Sequence, residues 1–554
     1  MFSARLNLLW LLAAFFARGL PAADAASVSG TVVNEATGAP LHMALVMIST
    51  TGQKPLDATV YTDGKGAFSF DVPPGRYYLS ASENGYARTW FGAATQDVAP
   101  AVMTVRAGEV RQGIRLRLPP LAAISGTVVD QDNDPVAGAR VMLLRPGFSR
   151  GRPVRIPRSE SRSTDRGEFR LYGIQPGQYY LLVTTMQGFA ASGAIRSQVS
   201  LGDPAPDTTW VPTFYPGVAS LADATLLDVR AGADMGNIVL RMNAQEAAWV
   251  NGTVELPEGV SAAGGIMVQF SSEDEAGMPS MRMGFGTSGS EKNKFQGIRL
   301  TPGRYKVTAS IQGGGDEYRS SEEFEFHSGR QEITVHLTKP VRLAGHLTLE
   351  GSSAGDLSKA EIVLNSPQPG TPDLTANVRA DGSFEFPAVS SGVWDIGVRP
   401  IPKGGYIKSM MLGDQDVLTT EMTIGPQTTA PLNIIVSARA AVVSGTVKQP
   451  EDNLADLTGQ PRARILLAPA GRFSDVLSFY HSTNSDENGR FTLHGVTPGS
   501  YKIFALDRLK AQAWWDPAFM KRIDALGKPL EIHEGEQVSV DLDVKPLPPD
   551  PEEP

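Results

Sequence analysis

The same run of residue types recurs five times along this chain: an apolar-x-Gly-x-apolar segment, an Ala-x-apolar segment, a turn leading to Phe, then Gly-x-aromatic. Its first element centres on Gly30, Gly126, Gly252, Gly345 and Gly445, so the repeats lie roughly 100 residues apart, the size of a whole domain. Solenoid units recur at about 20 to 50 residues and bury no core alone. A repeat this long builds its own core.

Inside the repeats, Phe68, Phe169, Phe295, Phe384 and Phe491 lead to Gly75, Gly177, Gly303, Gly392 and Gly499. Two residues beyond each glycine stands an aromatic: Tyr77, Tyr179, Tyr305, Trp394 and Tyr501. Apolar residues alternate around these anchors, as in Phe68-x-Phe70 and Tyr77-x-Leu79, which is the period of a strand with one buried face. We read each Phe strand and the following Gly-x-aromatic strand as a hairpin. Asp63, Asp165, Asp381 and Asp486 precede the Phe strands, each with a glycine close behind, where Asp bonds its own backbone and Gly takes positive φ. The third repeat has only Lys292-Asn293-Lys294 there, and a looser turn is expected.

About seven short strands per repeat, punctuated by turns, read as a β-sandwich. The expected architecture is all-β, a tandem array of about five seven-stranded sandwiches with one short helix near the C-terminus. The units are placed at 26–119, 120–243, 244–339, 340–440 and 441–545, with a disordered Pro- and acid-rich tail at 546–554. For the helix, Asp516 is the cap, Pro517 the first residue, Phe519, Met520 and Ile523 the apolar stripe, and Gly527 the stop. It is expected to seal one end of the fifth sandwich.

Composition agrees with this reading: 57 glycines and 40 prolines accompany 41% hydrophobic residues, a turn-rich but folding chain. Cysteine is absent, which removes disulfides, thiolate chemistry and cysteine metal sites. Residues 1–25 read as a cleaved signal peptide, with Arg5, an apolar run over 8–16 and the small-x-small site Ala23-Asp24-Ala25. The apolar run is short for a membrane span, so the mature chain is expected outside the cytoplasm, in the periplasm, at the surface or beyond it, without membrane insertion. Net charge is −9, and loss of Arg5, Arg18 and Asp24 with the leader takes it to −10, which points away from nucleic acid. One basic stretch, 145–166, carries Arg150, Arg152, Arg155, Arg158 and Arg162; it reads as a solvated hairpin extension or as a grip on an anionic polymer.

These elements resemble the carboxypeptidase regulatory-like domain, a transthyretin-like sandwich also grouped with starch-binding-domain-like folds. The stretch around Leu412-Gly413-Asp414, Val443-Ser444-Gly445, Pro498-Gly499-Ser500-Tyr501 and Trp514-Trp515-Asp516-Pro517 looks like large secreted bacterial proteins built only of such domains. The resemblance implies an accessory domain that accompanies peptidases, transporters and surface proteins without carrying their active sites. Related collagen-adhesin domains often hold a Lys to Asn crosslink between first and last strands; the residues for it are missing here, and none is expected.

Neither catalytic residues nor a metal or cofactor site is assigned. The seven histidines are scattered, and His533-Glu534 lacks the second histidine of a zinc peptidase helix. Gly284, Gly286 and Gly289 match a dinucleotide fingerprint formally, but a strand rather than a helix is expected to follow. Asp130, Asp132 and Asp134 alternate like calcium ligands, yet Pro135 stands where such a loop needs glycine; they read as a solvated turn.

The aromatic segments after each Gly-x-aromatic strand are the candidate ligand-binding residues: Trp90, Phe91, Trp210, Tyr215, Trp514 and Trp515, with Phe214 and Tyr406 nearby. A flat indole offers an apolar face for a sugar ring, and loops on a sandwich are where binding is grafted. The main expectation is an exported, non-catalytic protein that binds or spaces at the cell envelope, with polysaccharide or another envelope protein as partner. The alternative is a structural or protein-interaction rod in which these rings are glue between units, and a remote alternative is a hydrolase accessory or hydrolase.

Overall fold

The computed structural model describes residues 26–548 apart from 51–56, 94–99, 101, 150–151, 186–206, 262–264, 273–281, 286–292, 312–317, 352–356, 367–372, 402–403, 449–462, 475, 487, 508 and 510–512. The expected leader, the end of the tail, Arg150 and the unusual turn of the third repeat lie outside or partly outside these residues. The described chain forms a tandem series of two-sheet sandwiches, each around its own apolar cluster.

The first repeat shows the plan. Ala26–Asn34 is central in a three-stranded sheet, antiparallel to the Phe strand Ala67–Val72 and parallel to the last strand Val110–Leu118. The facing sheet runs Asp57–Tyr61, Leu45–Thr50, Gly75–Ser82, with Thr89–Trp90 and Met103–Val105 along the outer side of Gly75–Ser82. The second, third and fifth repeats keep this order. The fourth departs from it: Tyr406–Leu412 joins its first sheet beyond the last strand, Leu432–Ser437.

Both glycines of the repeat have a steric reason. A Cβ on the first-strand glycine would strike a carbonyl of the parallel last strand, at 2.0 Å from Ile114 O for Gly30, 1.9 Å from Ile238 O for Gly126 and 1.8 Å from Val540 O for Gly445. The motif marks the place where two backbones approach too closely for any side chain. The second glycine lets the chain enter the next strand in a conformation closed to other residues, with φ of 153° at Gly177 and 154° at Gly499.

The aromatic two residues later is then aimed back at the turn. Tyr77 Oη donates to Pro73 O at 2.7 Å, Tyr179 to Gln175 O at 2.8 Å, and Tyr501 to Thr497 O at 2.8 Å. Trp394 Nε1 does the same to Ser390 O at 3.0 Å, and Tyr305 Oη bonds Thr301 Oγ1 at 2.7 Å. Each ring fills its core while its polar tip satisfies a group that the turn would otherwise leave unpaired.

The expected hairpin is corrected. The Phe strand pairs with the first strand, whereas the Gly-x-aromatic strand pairs in the opposite sheet, Gly75–Ser82 against Leu45–Thr50. The short link between them crosses the sandwich. Alternation is blind to this distinction, because both strands have one buried face whichever sheet they join.

The helix spans Pro517–Ile523, with the Asp516 carboxylate accepting from Ala518 N at 2.8 Å. A further turn, Asp524–Leu526, carries the chain to Gly527. Rather than closing an end of the sandwich, the helix lies on the outer face of its second sheet. There Phe519 and Ile523 join Leu466, Ala468, Phe504 and Leu506, while the alternate residues Ile465, Leu467 and Ile503 face the core. That sheet is apolar on both sides, so it needs a second cover.

Candidate functional site: aromatic segments and unit joints

The six candidate aromatics do not share one surface. Trp210 is 6% exposed and belongs to the second core, and Phe91 is 8% exposed and belongs to the first. Tyr215 is half-buried against the second core, its N–H donating to Leu181 O at 2.9 Å. Tyr406 is also buried.

Trp90 differs. It stands on Thr89–Trp90, paired with Ser80 and Ala81, half-buried on the outer face of the second sheet. Tyr78 meets its ring edge-on at 6.4 Å and the Arg88 guanidinium lies 4.9 Å from its centroid. Arg88 Nη2 donates to Ser80 Oγ at 3.2 Å, so the cation is held over the indole.

Trp514 and Trp515 occupy the short turn Ala513–Trp515 before the helix, both half-buried. Trp514 packs on the Leu466–Phe504 cluster with the Arg464 guanidinium 5.4 Å from its ring. This turn lies beside Arg140–Ser149 of the second repeat, and Asn484 Nδ2 donates to Pro100 O of the first at 3.4 Å. The fifth repeat therefore returns to the first two.

Several of these segments meet joints between repeats, and backbone hydrogen bonds cross the first–second, second–third and fourth–fifth joints. Between the first and second, Ala87 N donates to Pro119 O at 2.8 Å and Leu121 N to Gly85 O at 2.9 Å. Between the second and third, Thr208–Trp210 pairs antiparallel with Ala244–Glu246, so the strand that buries Trp210 also holds the connection. Between the third and fourth, the hydroxyls of Thr338 and Ser391 meet at 3.4 Å.

The joint between the fourth and fifth is the most polar. Glu534 Oε1 accepts from Ser437 Oγ at 2.6 Å and from Tyr406 Oη at 3.2 Å, and Oε2 accepts from Arg439 Nη2 at 2.7 Å. Gly535 N also donates to Arg439 O at 2.8 Å. The Ser437 hydrogen bond, with the Arg439 charge beside it, holds the Glu534 carboxyl below the usual range. Sequence reasoning inspected Glu534 only as a metal motif; its joint role depends on partners about a hundred residues upstream, which spacing does not reveal.

Other singled-out groups have local explanations. Asp130 Oδ1 accepts from Asp132 N and Asp134 N, both at 2.9 Å, and Arg241 Nη2 donates to Asn133 Oδ1 at 2.7 Å, so this acidic run organises its own turn. Among the described residues no group of three or more His, Asp or Glu is placed to hold a metal ion. The basic stretch belongs to two long paired strands, Arg140–Ser149 and Arg152–Arg162, where Arg140 pairs with Glu160 and Arg155 lies 5.3 Å from the Tyr180 ring. His481 is held neutral by burial, its imidazole pushed down to about 4, and its Nε2 has no hydrogen-bond partner among the described residues.

Comparison with known proteins gives a family model that matches the first part of the chain and low-scoring likeness to solved structures. The model of the carboxypeptidase regulatory-like domain matches residues 27–115 and 123–209, two tandem copies. No curated protein matches the chain significantly. Among solved structures, the TIE protein of Bacillus anthracis is 10% identical over 76% of this chain and 75% of its own, with a TM-score of 0.15. A minor pilin of Streptococcus agalactiae is 13% identical over 39% and 96%, with a TM-score of 0.21. The major pilin subunit of Bacillus cereus is 9% identical over 57% and 99%, with a TM-score of 0.14.

Proposed function

We propose that this chain, with two tandem carboxypeptidase regulatory-like domains at the head of its array, is an exported, non-catalytic scaffold that works through contacts with other proteins. The observation that carries this reading is the fate of Trp210. An indole placed like a ligand platform in the sequence is buried in a core, on a strand that ties two repeats together. Short backbone-bonded joints limit the freedom of neighbouring units, which suits a spacer that presents its surfaces at set positions. The return of the fifth repeat to the first two supports a closed scaffold more than an extended rod.

Trp90 supports a second reading, polysaccharide binding, because its half-buried indole lies on an outer face beside Tyr78 and Arg88. One experiment separates the two. Residues 26–554 and the Trp90→Ala variant are passed over a panel of soluble and insoluble polysaccharides. The scaffold reading expects neither protein to be retained; retention of the parent that Trp90→Ala loses would replace it with the glycan reading.

A further inference from the structure

Sheet edges are where these sandwiches differ most. The outermost strand beside the Gly-x-aromatic strand is short in the first repeat, Met103–Val105, and in the fourth, Met422–Ile424. In the fifth it is Lys528–Ile532, which contains Pro529. On the opposite edge of the second repeat, Arg152–Arg162 is long but carries Pro153 and Pro157, and proline on an edge strand removes donors that another chain would use. The third repeat has none of these protections. Its edge strand Arg319–Phe326 is eight residues long, without Pro or Gly, and ends the sheet order among the described residues.

The direction of its free backbone groups follows from register. Ile311 N donates to Tyr318 O at 3.2 Å, in line with the ladder that pairs Ser310 with Arg319 and Gly303 with Phe326. Bonded and non-bonded pairs alternate in an antiparallel ladder, so Ser320, Glu322, Phe324 and Phe326 turn their N–H and C=O groups inward to Gly303–Ile311. Arg319, Ser321, Glu323 and Glu325 turn theirs outward. Arg319 O is already taken by Thr338 Oγ1. Ser321, Glu323 and Glu325 remain, a template of three residues with alternate backbone groups facing solvent.

Their side chains specify what pairs there. On the outer face Lys306 stands opposite Glu323 and Arg304 opposite Glu325, so a basic column on the inner strand is followed by an acidic column on the edge. Opposite charges across strands stabilise and like charges repel, so the next column outward is basic. A second copy of the same edge would set glutamate against glutamate. Glu322 is not part of this surface, because its Oε1 accepts from His336 N at 2.6 Å. Beside the edge lies a cavity of about 180 Å³ lined by Arg304, Tyr305, Glu323, Phe324 and Glu325, room for the stem of a long side chain next to two glutamates.

We infer that Arg319–Phe326 is a docking edge for an extended segment of a partner protein that carries Lys or Arg at alternate positions, added as a further strand. The inference rests on the interaction-scaffold reading and deepens it by naming one surface and the chemistry of its partner. The same logic excludes the chain's own basic strand Arg152–Arg162, whose prolines lack the required donors.

The test uses the whole chain, residues 26–554, and three labelled synthetic peptides of equal length, followed by fluorescence anisotropy. One alternates Lys with Val and Thr, one has the same composition with its lysines in a block, and one replaces each Lys of the first by Glu. The expected result is at least tenfold tighter binding of the alternating Lys peptide than of either other. Glu323→Lys with Glu325→Lys should transfer the preference to the Glu peptide. Glu323→Pro should remove binding of both, since it deletes an outward donor and leaves the inward ladder intact; thermal unfolding and the unaltered core strands' exchange check that the variant folds. Equal binding of alternating and block peptides, or no binding of any, overturns the docking edge. Either result leaves the polysaccharide assay on Trp90→Ala unchanged, so failure here is distinct from failure of the scaffold reading.

Discussion

The aromatic segments of the first and second repeats both follow the Gly-x-Tyr strand, yet their tryptophans stand on strands with different partners and have opposite fates. In the second, Trp210 turns inward to the core on a strand that pairs with the start of the third repeat. In the first, the following residue, Phe91, takes the core position, and Trp90 stays on the outer face beneath Arg88. Trp90 pairs with Ser80 as Phe214 pairs with Leu182, so Phe214 is the register counterpart of Trp90, and Trp210 is structural because it stands on the separate joint strand Thr208–Trp210. A tryptophan in these segments therefore has two uses, and its pairing partner tells which.

The largest effects should fall on the buried side of this contrast. Gly126→Ala puts a methyl 1.9 Å from Ile238 O, backbone against backbone, and is expected to cost on the order of 3 kcal/mol or more, read by denaturant unfolding; the same change at the open Gly85, where no atom lies within 4 Å, is limited to the strain of a φ of 82°. Trp210→Ala is expected to lose about 3–5 kcal/mol and to loosen the joint to the third repeat. If Trp90→Ala costs as much in the same assay, the contrast between the two segments is broken; the expected loss there is about 1 kcal/mol or less.

A medium effect depends on pH. Burial holds His481 neutral down to about 4, against an ordinary value of 6.5. The unfolded chain takes up the proton first, so stability is full above pH 6.5 and falls as pH drops towards 4, by about 3 kcal/mol at most. His481→Gln should flatten that window in a stability-against-pH series. The smallest effect concerns Glu534, whose carboxyl is held low by Ser437 and Arg439. Its contribution is present above the ordinary carboxylate range and lost as pH falls through the lowered value, so Glu534→Gln should faintly loosen the last joint at neutral pH and leave stability near pH 3 unchanged.

Much of this fold was legible because its repeat consists of steric requirements. The first-strand glycines meet a carbonyl, and the Gly-x-aromatic pairs close a turn; both leave marks at fixed spacing. The helix was legible from Asp516 and Pro517 alone, since caps are local. Sheet membership was not, because the Phe strand has the same alternation in either sheet. Its neighbour is set by a crossing link too short to carry a signal of its own. The joints were hidden for a related reason: Ser437, Arg439 and Glu534 are ordinary surface residues until two domains meet. The free edge of the third repeat shows in the sequence only as the glutamates Glu322, Glu323 and Glu325; its significance comes from register.

The most direct test of the central claim, that the aromatic segments serve cores and joints, is hydrogen exchange of the backbone amides in Thr208–Trp210 and Ala244–Glu246. Paired strands at a stiff joint should exchange as slowly as the core strand Gly177–Thr184, and Trp210→Ala should speed both together. Rapid exchange of these amides in the unaltered chain, with the core strand protected, would contradict the account and return Trp210 to the surface.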